Sequence, residues 1–220
     1  MNKTAAIFDM DGVLMDNNPW HVAAWIEFAT RYGLVMTRGE VEESFGNTNR
    51  DYLLKLFGKP LTPKEIERMA EEKEVIYRDS IRSVMKPLTG LVPFLDSLRA
   101  AGFSIGIVTG GPLTNVEFVL SQLGIAGYFQ TVVHDALVTR GKPDPEGYLL
   151  AAAMLGLHPS GCVVFEDSEN GVLAATAAGM QVVGINTGGK PEKLNKAQLI
   201  CSDFSNLTSD HILQLIHSKI

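Results

Sequence analysis

The sequence predicts an α/β protein: a doubly wound parallel-sheet core that carries an inserted, all-helical cap. Short apolar runs rich in β-branched residues recur along the chain without strict alternation, which is typical of strands covered on both faces. One stretch of about 70 residues holds helical patterns alone and is too long for an ordinary crossover. We therefore predict a core of residues 1–15 and 85–220 and a cap of residues 16–84.

Five runs are the strand candidates, and helical segments separate them. They are TAAIF at 4–8, FSIGIV at 103–108, TVVH at 131–134, CVVF at 162–165 and QVVGI at 181–185. Strand, helix and strand in alternation imply right-handed crossovers between parallel strands. Capping residues mark three helix starts: Thr62 with Pro63 and Glu65, Thr114 with Glu117, and Asp144 before Pro145.

Composition narrows the classes of function. The formal net charge is -6, with 19 basic against 25 acidic residues and no Lys/Arg block, so a nucleic-acid partner is not expected. The chain has no apolar stretch near the ~18 residues of a membrane span and no signal-peptide pattern. We expect a cytoplasmic protein without a membrane partner, either a monomer or a weak homo-oligomer.

Polar residues follow four of the five strand candidates. They are Asp9 and Asp11 after the first, Thr109, Gly110 and Gly111 after the second, Lys142 beyond the third, and Glu166 with Asp167 after the fourth. The carboxyl ends of parallel strands share one edge of the sheet, so these side chains should converge there. A calcium loop is excluded, because twelve residues counted from Asp9 end at Trp20 instead of glutamate.

Carboxylates crowded at one edge repel each other unless a cation neutralises them, and oxygen ligands of this kind suit Mg²⁺. A magnesium site with Thr109, backbone N–H groups and Lys142 beside it can bind and stabilise a phosphoryl group. Asp9 could then attack phosphorus to form an aspartyl-phosphate. Asp11 lies two residues further along an extended chain, points differently and could carry the proton.

Four motifs in order, FDMDGV, VTGG, GKPDP and FEDSENG, resemble those of the haloacid dehalogenase superfamily, in its β-phosphoglucomutase-like group with a small helical cap. The resemblance implies that Asp9 is the nucleophile and a Mg²⁺ ligand, and that Asp11 is the general acid/base whose backbone carbonyl also binds the ion. It also implies that the phosphoryl and metal sites include these residues: Thr109 and Lys142 for the phosphoryl group, Glu166 and Asp167 for the metal, Gly110 and Gly111 for substrate.

The cap supplies further candidates for substrate binding. His21 and Trp25 lie one helical turn apart just after the first motif, and Arg50 ends a Gly-x-x-x-Arg segment. In the mutases of this group, residues at such positions bind substrate, and the arginine holds its second phosphate. Arginine is suited to that task because it binds phosphate through two parallel hydrogen bonds.

Three positions depart from the mutase pattern. Gly111 and Leu113 stand where the mutases carry a serine and an asparagine, and Asp79, next to Arg78, stands near the position of their cap lysine. Losing ligands for a second phosphate favours hydrolysis over transfer between two sugar positions. The prediction is a Mg²⁺-dependent phosphatase acting on a small phosphorylated metabolite, such as a sugar phosphate. The alternatives are a β-phosphoglucomutase or related phosphohexomutase, an inorganic pyrophosphatase, and a catalytically silent binding protein.

Overall fold

The computed structural model describes residues 4–217, in which six parallel strands form one sheet. The strands are β1 (Ala5–Phe8), β2 (Ser104–Val108), β3 (Thr131–Val133), β4 (Cys162–Glu166), β5 (Gln181–Ile185) and β6 (Leu199–Cys201). Their order is β3-β2-β1-β4-β5-β6, so the predicted doubly wound parallel sheet is confirmed. β6 is the strand that was not predicted, because three residues at the sheet edge carry too short a pattern.

Four helices lie between β1 and β2 and form the inserted cap: α1 (Asn18–Arg31), α2 (Arg38–Glu42), α3 (Asn49–Phe57) and α4 (Pro63–Ile81). The core helices are α5 (Leu91–Ala100), α6 (Leu113–Leu123), α7 (Glu146–Met154), α8 (Glu169–Ala177) and α9 (Ser209–His217). The helical insertion is therefore confirmed, while the exact domain boundaries stay a prediction. No helix in residues 4–217 combines the length and the apolar character needed to cross a membrane.

The helix starts bear out one of the three capping predictions. At α4, Thr62 and Glu65 form the predicted reciprocal capping box. At α6 the prediction was wrong: the helix begins at Leu113, so Thr114 already lies inside it and cannot cap it. The start of α7 is one residue later than predicted, because Pro145 is itself the cap position; the Asp144 carboxylate still accepts a bond from the Glu146 N–H at 3.0 Å.

Both faces of the sheet are covered, which explains why the strands lack alternation. One face packs an aromatic cluster that includes Phe8, Phe94, Phe165 and Phe204. The other face packs aliphatic residues and Tyr148 of α7. A third cluster, around Trp25 and Phe28, forms the separate core of the cap. The first strand is thus packed on both faces, and the residues that follow it start from a buried position.

The cap packs directly against the core. The two segments that connect them run side by side, with the Leu88 N–H donating to the Leu14 carbonyl at 2.9 Å. Across the gap, the Asn170 side-chain amide donates to the Phe45 carbonyl at 3.0 Å. Lys190 of the core forms an exposed ion pair with Glu42 of the cap at 2.6 Å. These contacts describe a cap that is closed over the carboxyl edge of the sheet.

The capping box of α4 yields a stability prediction. Thr62→Ala removes the two bonds of the Thr62 hydroxyl, which accepts from the Glu65 N–H and donates to the Glu65 carboxylate, and it should lower the free energy of unfolding by about 1 kcal/mol in urea denaturation. Thr30→Ala is the control, because that exposed hydroxyl bonds only within its own helix, to the Ile26 carbonyl. A loss at Thr62 no larger than the loss at Thr30 would contradict the prediction.

Candidate active site

Asp9 lies directly after β1, where its backbone N–H continues the sheet by donating to the Phe165 carbonyl at 2.9 Å. The side chain is buried, and the Lys142 ammonium reaches its Oδ1 at 2.5 Å. The same ammonium lies 2.5 Å from Glu166 Oε1 and 3.3 Å from the Val108 carbonyl. Lys142 therefore bridges the ends of β1 and β4, and it fixes the orientation of the Asp9 carboxylate.

Glu166 ends β4 and is completely buried. Its Oε1 accepts a bond from the Tyr148 hydroxyl at 2.6 Å in addition to the contact with Lys142. Its Oε2 accepts from the backbone N–H groups of Asp167 and Ser168 and from the Ser168 hydroxyl, at 3.1 to 3.2 Å. Both oxygens thus have partners, so this carboxylate can anchor Lys142 and the loop that follows it.

Asp9, Glu166 and Asp167 form an acidic cluster in which one carboxylate oxygen from each residue lies within 4.8 Å of the other two. Burial raises the pKa of Asp9 to about 8. The charge of Lys142 opposes this rise, while the charges of Glu166 and Asp11 add to it. The pKa of Asp167 is also well above its ordinary value, first through burial and then through the charges of Glu166 and Asp9. When all three carboxylates are ionised, they carry more negative charge than Lys142 balances, and this donor set fits Mg²⁺.

Asp11 has a different environment, although it lies only two residues after Asp9. Its Oδ1 accepts a bond from the Asn17 amide at 2.6 Å, and His21 Nε2 lies 3.2 Å away, without the angle of a hydrogen bond. Burial alone would raise the pKa of Asp11, but His21 and the bond from Asn17 hold it below its ordinary value. Asn17 also contacts the Tyr77 hydroxyl at 2.7 Å, which ties this site to α4.

The loop after β2 provides a polar edge opposite the acidic cluster. Thr109 is buried, and its hydroxyl accepts a bond from the Gly111 N–H at 3.0 Å. A Cβ added to Gly110 would lie 2.6 Å from the Asn47 carbonyl oxygen of the cap, whereas at Gly111 it would meet nothing closer than 3.4 Å. Gly110 is therefore required by the close approach of the cap, and Gly111 is not.

The cap contributes an aromatic and basic wall to the cavity. Trp25 stacks on Tyr52 with ring centroids 4.3 Å apart, and Lys73 Nζ lies 5.0 Å above the Trp25 ring. His21 stacks on Tyr77 at 3.8 Å. Lys73 Nζ also lies 2.9 Å from His21 Nδ1, so the buried ammonium links the aromatic wall to the residue next to Asp11.

Most of the residues predicted for the site come together at one cavity. Those that line it are Asp9, Asp11, His21, Trp25, Thr109, Gly110, Gly111 and Asp167, while Lys142 and Glu166 contact Asp9 directly. Arg50 does not line this cavity; it is exposed at the start of α3, and the preceding residue, Asn49, lines the cavity instead.

Sequence reasoning missed the buried polar residues of the cap. Lys73 and Glu74 are 2% and 1% exposed and both line the cavity, whereas Asp79, taken as the position of a cap lysine, is exposed on α4. The polar partners Asn17, Asn49 and Asn115 were missed as well. The available signal was the helical spacing of Lys73 and Tyr77, one turn apart on α4, facing the same side as Ile81.

The acidic cluster predicts a specific response to Mg²⁺. Without Mg²⁺, Asp167→Asn should raise the free energy of unfolding at pH 7.5 by about 1 kcal/mol, because it removes a buried carboxylate whose pKa is raised. This gain should fade as the pH falls towards the ordinary pKa of 3.8, where the carboxylate is protonated in both folded and unfolded chains.

With Mg²⁺ at a hundred times its Kd, the wild type should gain about 2.7 kcal/mol and Asp167→Asn much less. Asp79→Asn, on the exposed face of α4, is the control and should respond to Mg²⁺ like the wild type. Urea denaturation with and without the ion measures both effects. An equal gain from Mg²⁺ in Asp167→Asn would contradict the placement of the ion.

Comparisons with known proteins agree with this geometry. A family model for haloacid dehalogenase-like hydrolases matches residues 3–179. The chain is 31% identical to β-phosphoglucomutase of Bacillus subtilis over 98% of this chain and 94% of that protein. It is 32% identical to hexitol phosphatase A of Escherichia coli over 92% of each chain.

Among solved structures, β-phosphoglucomutase of Clostridium difficile superposes with a TM-score of 0.87 at 28% identity. The match covers 99% of this chain and 98% of that one, so it includes the helical cap as well as the sheet. Sequence, fold and insertion therefore point to the same family. The chain belongs to the haloacid dehalogenase-like hydrolases, in their β-phosphoglucomutase-like group with a helical cap.

Proposed function

We propose that this protein is a Mg²⁺-dependent phosphatase that hydrolyses a small phosphorylated metabolite, a sugar phosphate, through an aspartyl-phosphate intermediate. The observation that carries the proposal is the contrast between the two aspartates after β1. Asp9 is fixed by Lys142 in the acidic cluster, whereas Asp11 is held apart from it by Asn17 and His21. This contrast supports attack by one carboxylate and proton transfer by the other.

In the first step, an oxygen of Asp9 attacks phosphorus while the bond from phosphorus to the ester oxygen breaks. Lys142, Thr109 and the backbone N–H groups that follow Thr109 stabilise the charge on the phosphoryl oxygens. Asp11 gives a proton to the departing oxygen, so an alcohol leaves. Asp11 acquires that proton when the anionic phosphoryl group comes close, because a neighbouring negative charge raises its pKa.

In the second step, water attacks phosphorus and its proton passes to the Asp11 carboxylate. The bond between phosphorus and Asp9 breaks, and inorganic phosphate leaves with Asp9 restored. The low pKa of Asp11 in the free site fits this second role, since a proton is released readily once phosphate has gone. The two steps thus use one residue alternately as acid and base.

The residues that would hold Mg²⁺ are Asp9, the backbone carbonyl of Asp11, Asp167 and, at the rear of the cluster, Glu166. When bound, the ion supplies positive charge that offsets the carboxylates and the phosphoryl oxygens. Lys142 remains necessary, because it fixes Asp9 and Glu166 relative to each other.

The cap side of the cavity would bind the remainder of the substrate. We propose that His21 and Trp25 contact it, together with Asn49 in place of the exposed Arg50. The relatives named above include a hexitol phosphatase, and a hydroxylated substrate fits the mixed aromatic and amide lining. Because Gly46 and Asn47 pack closely over Gly110, we propose that the cap opens to admit substrate and closes for catalysis.

A phosphohexomutase is the second candidate, favoured by the similarity to two β-phosphoglucomutases and by the buried pair of His21 and Lys73. A steady-state assay with and without a sugar bisphosphate separates the two activities. A phosphatase releases inorganic phosphate from the monophosphate with no need for the bisphosphate. A mutase depends on it and releases little phosphate, because its phosphoenzyme must be protected from water.

Asp9→Asn should reduce phosphate release by at least about a thousandfold, because the amide cannot form the intermediate. The matched control is Asp16→Asn, in the same segment but exposed, which should keep activity within about twofold of the wild type. Both variants are assayed with Mg²⁺ and checked for folding by thermal denaturation. Full activity in a folded Asp9→Asn variant would contradict the mechanism.

Gly110→Ala and Gly111→Ala test whether cap closure is needed for turnover. The new Cβ at position 110 would collide with the Asn47 carbonyl and keep the cap from closing, so kcat/KM should fall by about a hundredfold. At position 111 the nearest atom lies at ordinary contact distance, and kcat/KM should fall by less than about fivefold. Equal losses in both variants would show that closure at this contact does not limit the reaction.

A further inference from the structure

A second carboxylate site lies in the cap wall of the cavity, separate from the acidic cluster. Glu74, on α4, is 1% exposed yet lines the cavity beside Asn49 and Lys73. Lys73 Nζ lies 2.9 Å from Glu74 Oε1 and 2.9 Å from His21 Nδ1. His21 in turn contacts Asp11, so Glu74 lies three side chains away from the proposed proton donor.

The donors that surround Glu74 are already engaged. Asn49 Nδ2 donates to Oε1 at 2.8 Å, and Asn115 Nδ2 donates to Oε2 at 2.7 Å. The other end of the Asn115 amide accepts from Arg78 Nη1 at 2.8 Å, and Arg78 also pairs with the exposed Glu71. No neighbour in this network is left with a free positive charge that could receive a further anion.

The other residues that line the cavity also provide no free positive charge. Among residues 4–217, Lys73 is the one lysine or arginine that lines it, and its ammonium is shared between Glu74, His21 and the face of Trp25. Burial alone would raise the pKa of Glu74, but Lys73, His21 and the bond from Asn115 hold it below its ordinary value. The cap end of the cavity therefore presents an ionised carboxylate.

We infer that Glu74 is a specificity residue that excludes a second phosphoryl group and selects phosphomonoesters whose remainder is uncharged and bears hydroxyl groups. This inference rests on the proposed function and names its substrate class. A dianion brought beside a buried carboxylate is strongly repelled, because little water is present to screen the charges. A hydroxyl group, in contrast, can donate a hydrogen bond to a carboxylate oxygen.

The aromatic wall supports the same class of substrate. Trp25 and Tyr52 stack on each other and both line the cavity, so the surface that they add to it is mainly apolar and carries no charge. Asn47 and Asn49 add amide groups at the edge of that surface. Apolar faces and neutral polar groups, with one carboxylate among them, match a polyhydroxyl chain or ring better than a second phosphate.

The test compares glucose 6-phosphate with glucose 1,6-bisphosphate, which differ by one phosphoryl group. Binding of both is measured by calorimetry with Mg²⁺ in an Asp9→Asn background, with and without Glu74→Gln, so that turnover is not required. Glu67→Gln is the matched control, because it removes the same charge from an exposed position on the same helix. Thermal denaturation establishes that each variant is folded.

In the Asp9→Asn background, the monophosphate should bind at least about tenfold more tightly than the bisphosphate. Glu74→Gln should tighten bisphosphate binding by about tenfold and change monophosphate binding by less than about threefold. Glu67→Gln should change neither of these two affinities. A bisphosphate-to-monophosphate ratio that Glu74→Gln leaves within about twofold would overturn the inference.

The inference can be tested even if the Glu74→Gln variant does not fold. Equal or tighter binding of the bisphosphate when Glu74 is present would overturn the inference without any substitution at that position. Failure of the proposed function has a different signature, the absence of phosphate release by the wild type from every phosphomonoester tested. The two claims can therefore fail independently.

Discussion

The structure must hold three carboxylates within 4.8 Å of one another at the edge of a buried sheet, where their charges repel. Lys142 offsets part of this repulsion, because its ammonium contacts both Asp9 and Glu166. The rest follows from the fold, since β1 and β4 are neighbours at the point where the strand order reverses, and both faces of the sheet are packed. A site of this kind favours the binding of further positive charge. A metal ion can supply that charge, and the ion can then stabilise a phosphoryl group during transfer.

The cap also contains buried charges, but there one ammonium is paired with one carboxylate. Lys73 and Glu74 form a buried ion pair whose other hydrogen-bond partners are His21, Asn49 and Asn115. A buried pair of this kind contributes little net stability, but its geometry is fixed because each charge needs all its partners. Since Asn115 belongs to core helix α6, the pair is complete only when the cap lies on the core. Cap closure and the polar lining of the cavity are thus formed together.

The sequence predicts the core of the site well and the cap poorly, for a physical reason. Asp9, Asp11 and Glu166 lie at the carboxyl ends of strands, and the rule that parallel strands end at one edge brings them together without knowledge of any long-range contact. Glu74 and Asn115 meet only through the packing of α4 on α6, which no local pattern specifies. Local signals also fail by one residue where backbone geometry decides, as at Thr114, while β6 is too short to leave a pattern.

The central claim is that the Asp9 carboxylate forms a covalent bond to phosphorus during turnover. The most direct test is to quench the enzyme during turnover of a phosphomonoester with Mg²⁺, reduce it with borohydride and map the peptides by mass spectrometry. An acyl phosphate is reduced to an alcohol, so the account predicts homoserine at position 9 and unmodified aspartate at position 11. Phosphate release with no modification of Asp9, or with homoserine at position 11, would contradict it.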